Sequence, residues 1–398
     1  MAQTNSGKIG LFTATITGMN AMIGSGIFVA PAMLASNVGP AGILTYVFVI
    51  FSVWLIAQSI ARVAEMFPTE GSFYTYAKQW GGHIVGLFAG LSYIIGLSVA
   101  MGLLCAYAGR HLAHFFPGVS DYTLGLLALS ALVILNIFGA VLSQLGQQIL
   151  ICCTVFPLIT IIVMCFSKAD TSLLTPFAPY GIKGVLSASR IAIFGFFGFE
   201  SAASLFNIVK NPKRNVPRAL TYSLLLVGSL YLLFITAIVL AVPLSLFVSP
   251  TTPISETLAH VFPNTPWLIT VIHVSILSAI LGTIHSVIWG CSNLFFSLIK
   301  KIKSPAIKKL VDTKKITNKT SVLLVGLCML ISYSTISNVN LFFSFAYIFL
   351  VIAYVSAMIP LLTIKKEWTS GRNIMTVLGI VTATVILLFT LQDLFQSL

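Results

Sequence analysis

The sequence predicts an all-α polytopic membrane protein, and three observations carry that prediction. Of 398 residues, 58% are hydrophobic. Only 8% are charged, where a soluble domain carries about 25%. Apolar stretches repeatedly exceed the roughly 18 residues needed to cross a bilayer core. Taken in order, the apolar windows give about eleven transmembrane helices, at 9–35, 40–66, 80–108, 122–142, 145–167, 185–208, 217–243, 267–299, 320–336, 340–363 and 373–394. The loops between them are short, so residues 1–398 read as a single transmembrane domain without a soluble module.

Charge sets the expected orientation. With the N-terminus inside, the inner segments hold 18 of the 22 Lys and Arg, including eight lysines between Lys300 and Lys319. The outer segments hold Arg110, Lys168, Lys183 and Arg190. This is the positive-inside pattern of a multi-pass protein of the cytoplasmic (inner) membrane. It accounts for the net charge of +13 without a nucleic-acid partner. The 300–319 loop reads as a solvated cytoplasmic connection, and the Asn318-Lys319-Thr320 sequon is discounted because it lies inside. The first span is too long and too glycine-broken for a cleaved signal peptide. All six cysteines fall within spans without metal spacing, so no metal or other cofactor is expected.

Span one contains "AMIGSGIFVAP", residues 21–31, where Gly24, Ser25 and Gly26 interrupt an otherwise helical run. A glycine in a helix interior costs roughly 1 kcal/mol relative to alanine. Span three opens with Gly82, Gly86 and Gly90, whose spacing by four reads as a close-packing face. Span six, "IAIFGFFGFESAASLFNIVK" at 191–210, is interrupted again at Gly195 and Gly198. The two broken spans lie five apart, in corresponding positions of two halves. Such a pair is the strongest sequence pointer to a transporter site. Unpaired backbone groups at membrane depth are tolerated only where they are buried or line a polar cavity. Half-helix N-termini attract a carboxylate and C-terminal ends attract an ammonium, so a zwitterionic amino acid suits both.

Glu200, just after the second break, is the one acid well inside a span. An acid at that depth costs at least about 2.5 kcal/mol on insertion scales. Its functional reading is proton coupling or gating. Its structural reading is a carboxyl that bonds free backbone donors of the broken helix. His273 and His285 in span eight read as satisfied packing residues, Arg190 as a cation at the outer mouth of span six, and Trp289 and Tyr93 as core. An intramembrane enzyme would need a nucleophile–base set or metal ligands at depth, and two histidines on one helix supply neither.

The motifs then point to a family. "GMNAMIGSGIFVAP", "FGFFGFESA" and the following "VKNPKRNVPRAL" closely resemble the amino acid–polyamine–organocation (APC) transporters. "EMFPTEGSFYTYA" at 65–77 and "TVFPLITII" at 154–162 are also similar, the latter to the basic amino acid and polyamine antiporter branch that includes the arginine–agmatine antiporter. The resemblance implies a LeuT-like fold of two inverted five-helix repeats, here 9–168 and 184–363, with broken helices one and six and an additional C-terminal helix at 373–394. It implies that Ser25 and Gly26, beside Gly24, hold the substrate carboxylate. The carbonyls of Met22, Phe194 and Phe197 would hold its ammonium, Phe194 would gate, and Glu200 would couple or gate on the cytoplasmic side.

The departures shape the expected substrate. Arginine-type relatives offer an amide from span three, whereas "GLSVAMGLLCA" at 96–106 offers Met101 and Leu104. The stacking aromatic of span eight is replaced by Val287, and Ser344 in span ten is one candidate polar contact. A desolvated charged head needs polar partners, so the pocket favours a neutral amino acid. The expected function is a secondary amino acid transporter by exchange or proton coupling. A basic amino acid or amine antiporter is the alternative, and a non-transporting sensor of the same fold a lesser one. The family's usual twelfth span has no counterpart here, which leaves the branch's homodimer in doubt.

Overall fold

A computed structural model describes residues 8–397 except 25, 139, 207, 250–251, 314, 336–337 and 365–369. Among these, the structure is a helical bundle with no named strand. Span one is split into α1 (Leu11–Met22) and α2 (Gly26–Asn37), followed by α3 (Gly42–Met66), α4 (Ser72–Ala113), α5 (Asp121–Ile137) and α6 (Ala140–Phe166). Span six is split into α7 (Gly181–Phe194) and the single turn α8 (Ser201–Ser204). There follow α9 (Pro212–Ala241), α10 (Ile254–Val261), α11 (Trp267–Ile299), α12 (Pro305–Asp312), α13 (Asn318–Thr335), α14 (Val339–Met358), α15 (Pro360–Thr363) and α16 (Ser370–Ser397).

Among the described residues, eight segments are long and apolar enough to cross a membrane. Three further predicted spans are helical without meeting that standard unaided: the shorter Asp121–Ile137, the interrupted α7–α8 segment and Asn318–Thr335.

The local chemistry explains the interruptions. Ile23 leaves helical geometry at φ −78°, ψ 81°, and the Gly24 N–H folds back onto the Met22 carbonyl at 2.8 Å. After Phe194, tight turns replace the α-helical ladder: Phe197 N–H donates to Phe194 O, and Phe199 N–H to Phe196 O. Gly198 sits at φ +95°, a region that glycine enters without the clash a side chain would suffer.

One sequence expectation is corrected. Gly82 is no packing residue: at φ +75° it joins two arms of α4, and a methyl group placed on it would meet nothing within 4 Å. Gly86 and Gly90 do pack closely, against Tyr74 and Leu298 respectively.

The halves are interlocked at their breaks. α2 packs on α7, and α1 packs on α8. The chain ahead of α1 is tied to the chain after α8, where Ile9 N–H donates to Ile208 O and Lys210 N–H to Ile9 O, both at 2.8 Å. Beside the breaks, Asn20 of α1 donates from Nδ2 to Gln147 Oε1 on α6 at 2.6 Å. Ser286 Oγ of α11 donates to the same Oε1 at 2.8 Å, and Thr283 Oγ1 donates to Asn20 O at 2.7 Å. This buried network clamps the end of α1 to two neighbours. Bonds of this kind contribute about 1 kcal/mol each, and more is lost when one partner is orphaned.

Candidate functional site

The two breaks touch through their backbones. A methyl group placed on Gly26 would lie 3.1 Å from Gly195 Cα and 3.4 Å from the Phe194 ring. One placed on Gly198 would lie 2.7 Å from the Ala21 carbonyl oxygen. At Gly198 only glycine permits the approach, and at Gly26 a side chain would press on Gly195.

Tyr231 of α9 joins the breaks. Its hydroxyl lies 2.9 Å from Met22 O and 3.0 Å from Gly195 O. A phenol has one proton to donate, so it serves one carbonyl at a time. Tyr46 and Phe196 hold the ring, with centroids 6.2 and 5.1 Å away. The Met22 carbonyl also accepts the Gly24 N–H, so both of its lone pairs are engaged when Tyr231 turns to it.

Around this junction the walls are apolar. Leu104 of α4 faces Gly24 opposite Thr283 of α11, each 3.1 Å from a methyl group placed on Gly24. Met101 precedes Leu104 by three positions and Val287 follows Thr283 by four, which puts each on the corresponding helix face; both are buried. Phe194 meets Phe197 and Phe343 edge-on at 5.4 and 4.4 Å. Phe197 stacks on Tyr347 at 5.9 Å. Phe194, Phe197 and Ser344 share a small pocket with Arg190, Tyr347 and Thr390. The structure therefore brings Met22, Gly24, Gly26, Phe194, Phe197, Leu104 and Ser344 around the breaks. Ser25 lies outside the described residues.

Glu200 is wholly buried between the second break and α8. The hydroxyls of Tyr93 and Tyr354 face its carboxyl group. With the residue's own backbone N–H, these two phenols are the polar groups that face the carboxyl. Two neighbouring backbone donors are used otherwise: Ser201 N–H goes to Gly198 O, and Ala203 N–H to Glu200 O.

A cavity of about 910 Å³ opens from the opposite, Arg110-bearing end, lined by Phe28 and Met33 of α2 and by α4, α10 and α11. Phe28 lies two residues beyond Gly26 on α2. His111 and His273 meet across it, Nδ1 to Nδ1 at 3.2 Å, and His114 stacks on His273. His273 is thus a cavity residue, whereas His285 is a packed one, bonded to Asn136 at 2.7 Å. Among the described residues, no group of three or more His, Cys, Asp or Glu could hold a metal ion.

Sequence reasoning missed Tyr231, Phe343, Tyr347, Tyr354 and Thr283. A signal did exist for the tyrosines. A phenol in an apolar helix needs a buried partner, and Tyr231, Tyr347 and Tyr354 each sit in one.

A family model described as amino acid permease matches residues 9–395. Among curated relatives, the branched-chain amino acid permease BcaP of Bacillus subtilis is 24% identical over 311 residues, which are 73% of this chain and 66% of that protein. Cationic amino acid transporter 3, mitochondrial, of Arabidopsis thaliana is 31% identical over 263 residues, 60% of this chain and 43% of that protein. The chain thus spans less than two thirds of the length of these relatives. Among solved structures, MhsT in complex with L-phenylalanine superposes with a TM-score of 0.67 at 14% identity, over 96% of this chain and 98% of that one. A Na+-coupled sialic acid symporter in a substrate-bound outward-open state gives 0.64 at 14% identity, over 96% and 89%. At that identity the likeness is one of fold: a LeuT-like bundle with broken first and sixth helices.

Proposed function

Because the chain belongs to the amino acid permease family, we propose that this multi-pass membrane protein carries an amino acid across the bilayer by alternating access, with the two helix breaks holding the substrate's main-chain charges. The carrying observation is the approach of Gly26 to Gly195, beside which the Tyr231 hydroxyl lies between Met22 O and Gly195 O. The N-terminus of α2 presents N–H groups and a positive dipole end to a carboxylate. The C-terminal ends of α1 and α7 present carbonyls to an ammonium. An ammonium arriving at Met22 O displaces the Tyr231 proton, which then turns to Gly195 O.

The side-chain end of the site favours a neutral substrate. Leu104, Met101 and Val287 offer no hydrogen bond to a charged head. Glu200 serves coupling or gating, because a wholly buried carboxyl between two phenols can exchange a proton as the inner side opens. The Lys and Arg distribution favours an inner-membrane protein with a cytoplasmic N-terminus.

The test is uptake of labelled amino acids into proteoliposomes, with and without internal substrate and a pH gradient. Saturable uptake of neutral amino acids supports the reading. Uptake confined to arginine, lysine or polyamines would replace it with the basic antiporter, and binding without uptake would replace it with a sensor.

A further inference from the structure

The lysine-rich segment between α11 and α13 contains a helix whose two faces differ in chemistry. In α12, Ile307, Leu310 and Val311 recur at helical spacing and form one stripe. Lys308, Lys309 and Asp312 fall on the other side. Both lysines are exposed, Ile307 and Val311 are partly buried, and Leu310 is 38% exposed. Pro305 stands in the first turn, where its missing N–H costs nothing. The helix ends where the Lys315 and Ile316 N–H groups both donate to Leu310 O, at 3.0 and 3.1 Å. A helix of eight residues is marginal in water by itself. It therefore depends on the surface against which its apolar stripe rests.

Position and charge identify that surface. α11 is one of the membrane-crossing segments, and α12 begins six residues after its end. Six residues reach at most about 20 Å, so α12 stays near the headgroup layer. By charge distribution this face is the cytoplasmic one. Segment 300–319 has eight lysines against one acid, Asp312. Lys300 is engaged locally, 3.9 Å from a carboxylate oxygen of Glu70 and 4.3 Å from the centre of the Phe296 ring. Lys301, Lys303, Lys308, Lys309, Lys315 and Lys319 are exposed. A lysine cluster on an amphipathic helix beside a membrane span complements anionic lipid headgroups. An apolar stripe on the same helix suits the boundary between headgroups and acyl chains.

We propose that α12 docks on the anionic lipid surface of the inner leaflet, with Leu310 among the first acyl carbons and the surrounding lysines on the phosphates. Docking anchors the connection between α11 and α13 to the membrane, whatever substrate is carried. The test is hydrogen–deuterium exchange over 305–312 in the full chain. The protein is placed in nanodiscs of phosphatidylcholine, with or without phosphatidylglycerol, at equal ionic strength. Phosphatidylglycerol should slow exchange in this segment. Lys308→Gln together with Lys309→Gln should relieve that slowing, by about fivefold for each charge removed. Leu310→Gln keeps every charge and should relieve it too, which separates docking from a change in pH at the lipid surface. Equal exchange in the two lipids would overturn the proposal: fast in both makes the segment a solvated connection, and slow in both makes α12 a helix packed on the protein. Slowing that survives either set of substitutions would overturn it as well.

Discussion

Replacing Tyr231 with phenylalanine removes a single hydroxyl from the junction of the breaks and leaves the ring in its place against Tyr46 and Phe196. In the empty protein that hydroxyl has two acceptors, Met22 O at 2.9 Å and Gly195 O at 3.0 Å, and one proton to share. Met22 O keeps the Gly24 N–H at 2.8 Å whatever happens to Tyr231. The substitution therefore costs one buried hydrogen bond and leaves a carbonyl short of a donor, about 1–3 kcal/mol of stability. Substrate binding responds differently. In the wild type an ammonium must displace the phenol from Met22 O, and in Tyr231→Phe that competition is absent. Affinity for a neutral amino acid should stay level or tighten, by up to about tenfold for a gain of 1.4 kcal/mol. Thermal unfolding and equilibrium binding of labelled substrate on the same detergent-purified samples read both quantities. Unchanged stability together with binding weakened more than tenfold would refute the reasoning, because the hydroxyl would then contact the substrate itself.

Two other predictions concern the breaks. Gly198→Ala puts a side chain at φ +95° and its Cβ 2.7 Å from a backbone oxygen that cannot swing aside. It should cost about 2–5 kcal/mol and be seen as early melting or loss of monodisperse protein. Gly24→Ala, which meets the side chains of Leu104 and Thr283 at 3.1 Å and no backbone atom among its nearest neighbours, should melt closer to wild type, and equal melting of the two variants would contradict the geometry. Glu200→Gln should bind substrate as wild type does yet lose any acceleration of uptake by external acidification. An unchanged pH profile of uptake in that variant would remove Glu200 from coupling.

The breaks were legible because glycine states its role locally: Gly24, Gly26, Gly195 and Gly198 interrupt apolar helices in plain view. Glu200 was legible for the same reason, as a charge without local company. For Tyr231 the need of a buried partner was legible but the partner was not, since its bond to Met22 crosses 209 residues. Gly82 was misread because spacing by four looks alike for a packing face and for a ladder whose first rung is a kink. Span six could be placed but not shaped, because the tight turns over 195–200 depend on α1 and α9 packed against them. The cluster of His111, His114 and His273 unites residues some 160 positions apart, and no periodicity joins them.

The most direct measurement is countertransport of a labelled neutral amino acid into proteoliposomes containing wild-type protein or Gly26→Val. The side chain in that variant would be driven into Gly195 Cα, 3.1 Å from the first added carbon. The account predicts saturable uptake by the wild type, and a correctly inserted variant that neither binds nor transports. Uptake by Gly26→Val at the wild-type rate would mean that the contact between the breaks is not where the substrate sits.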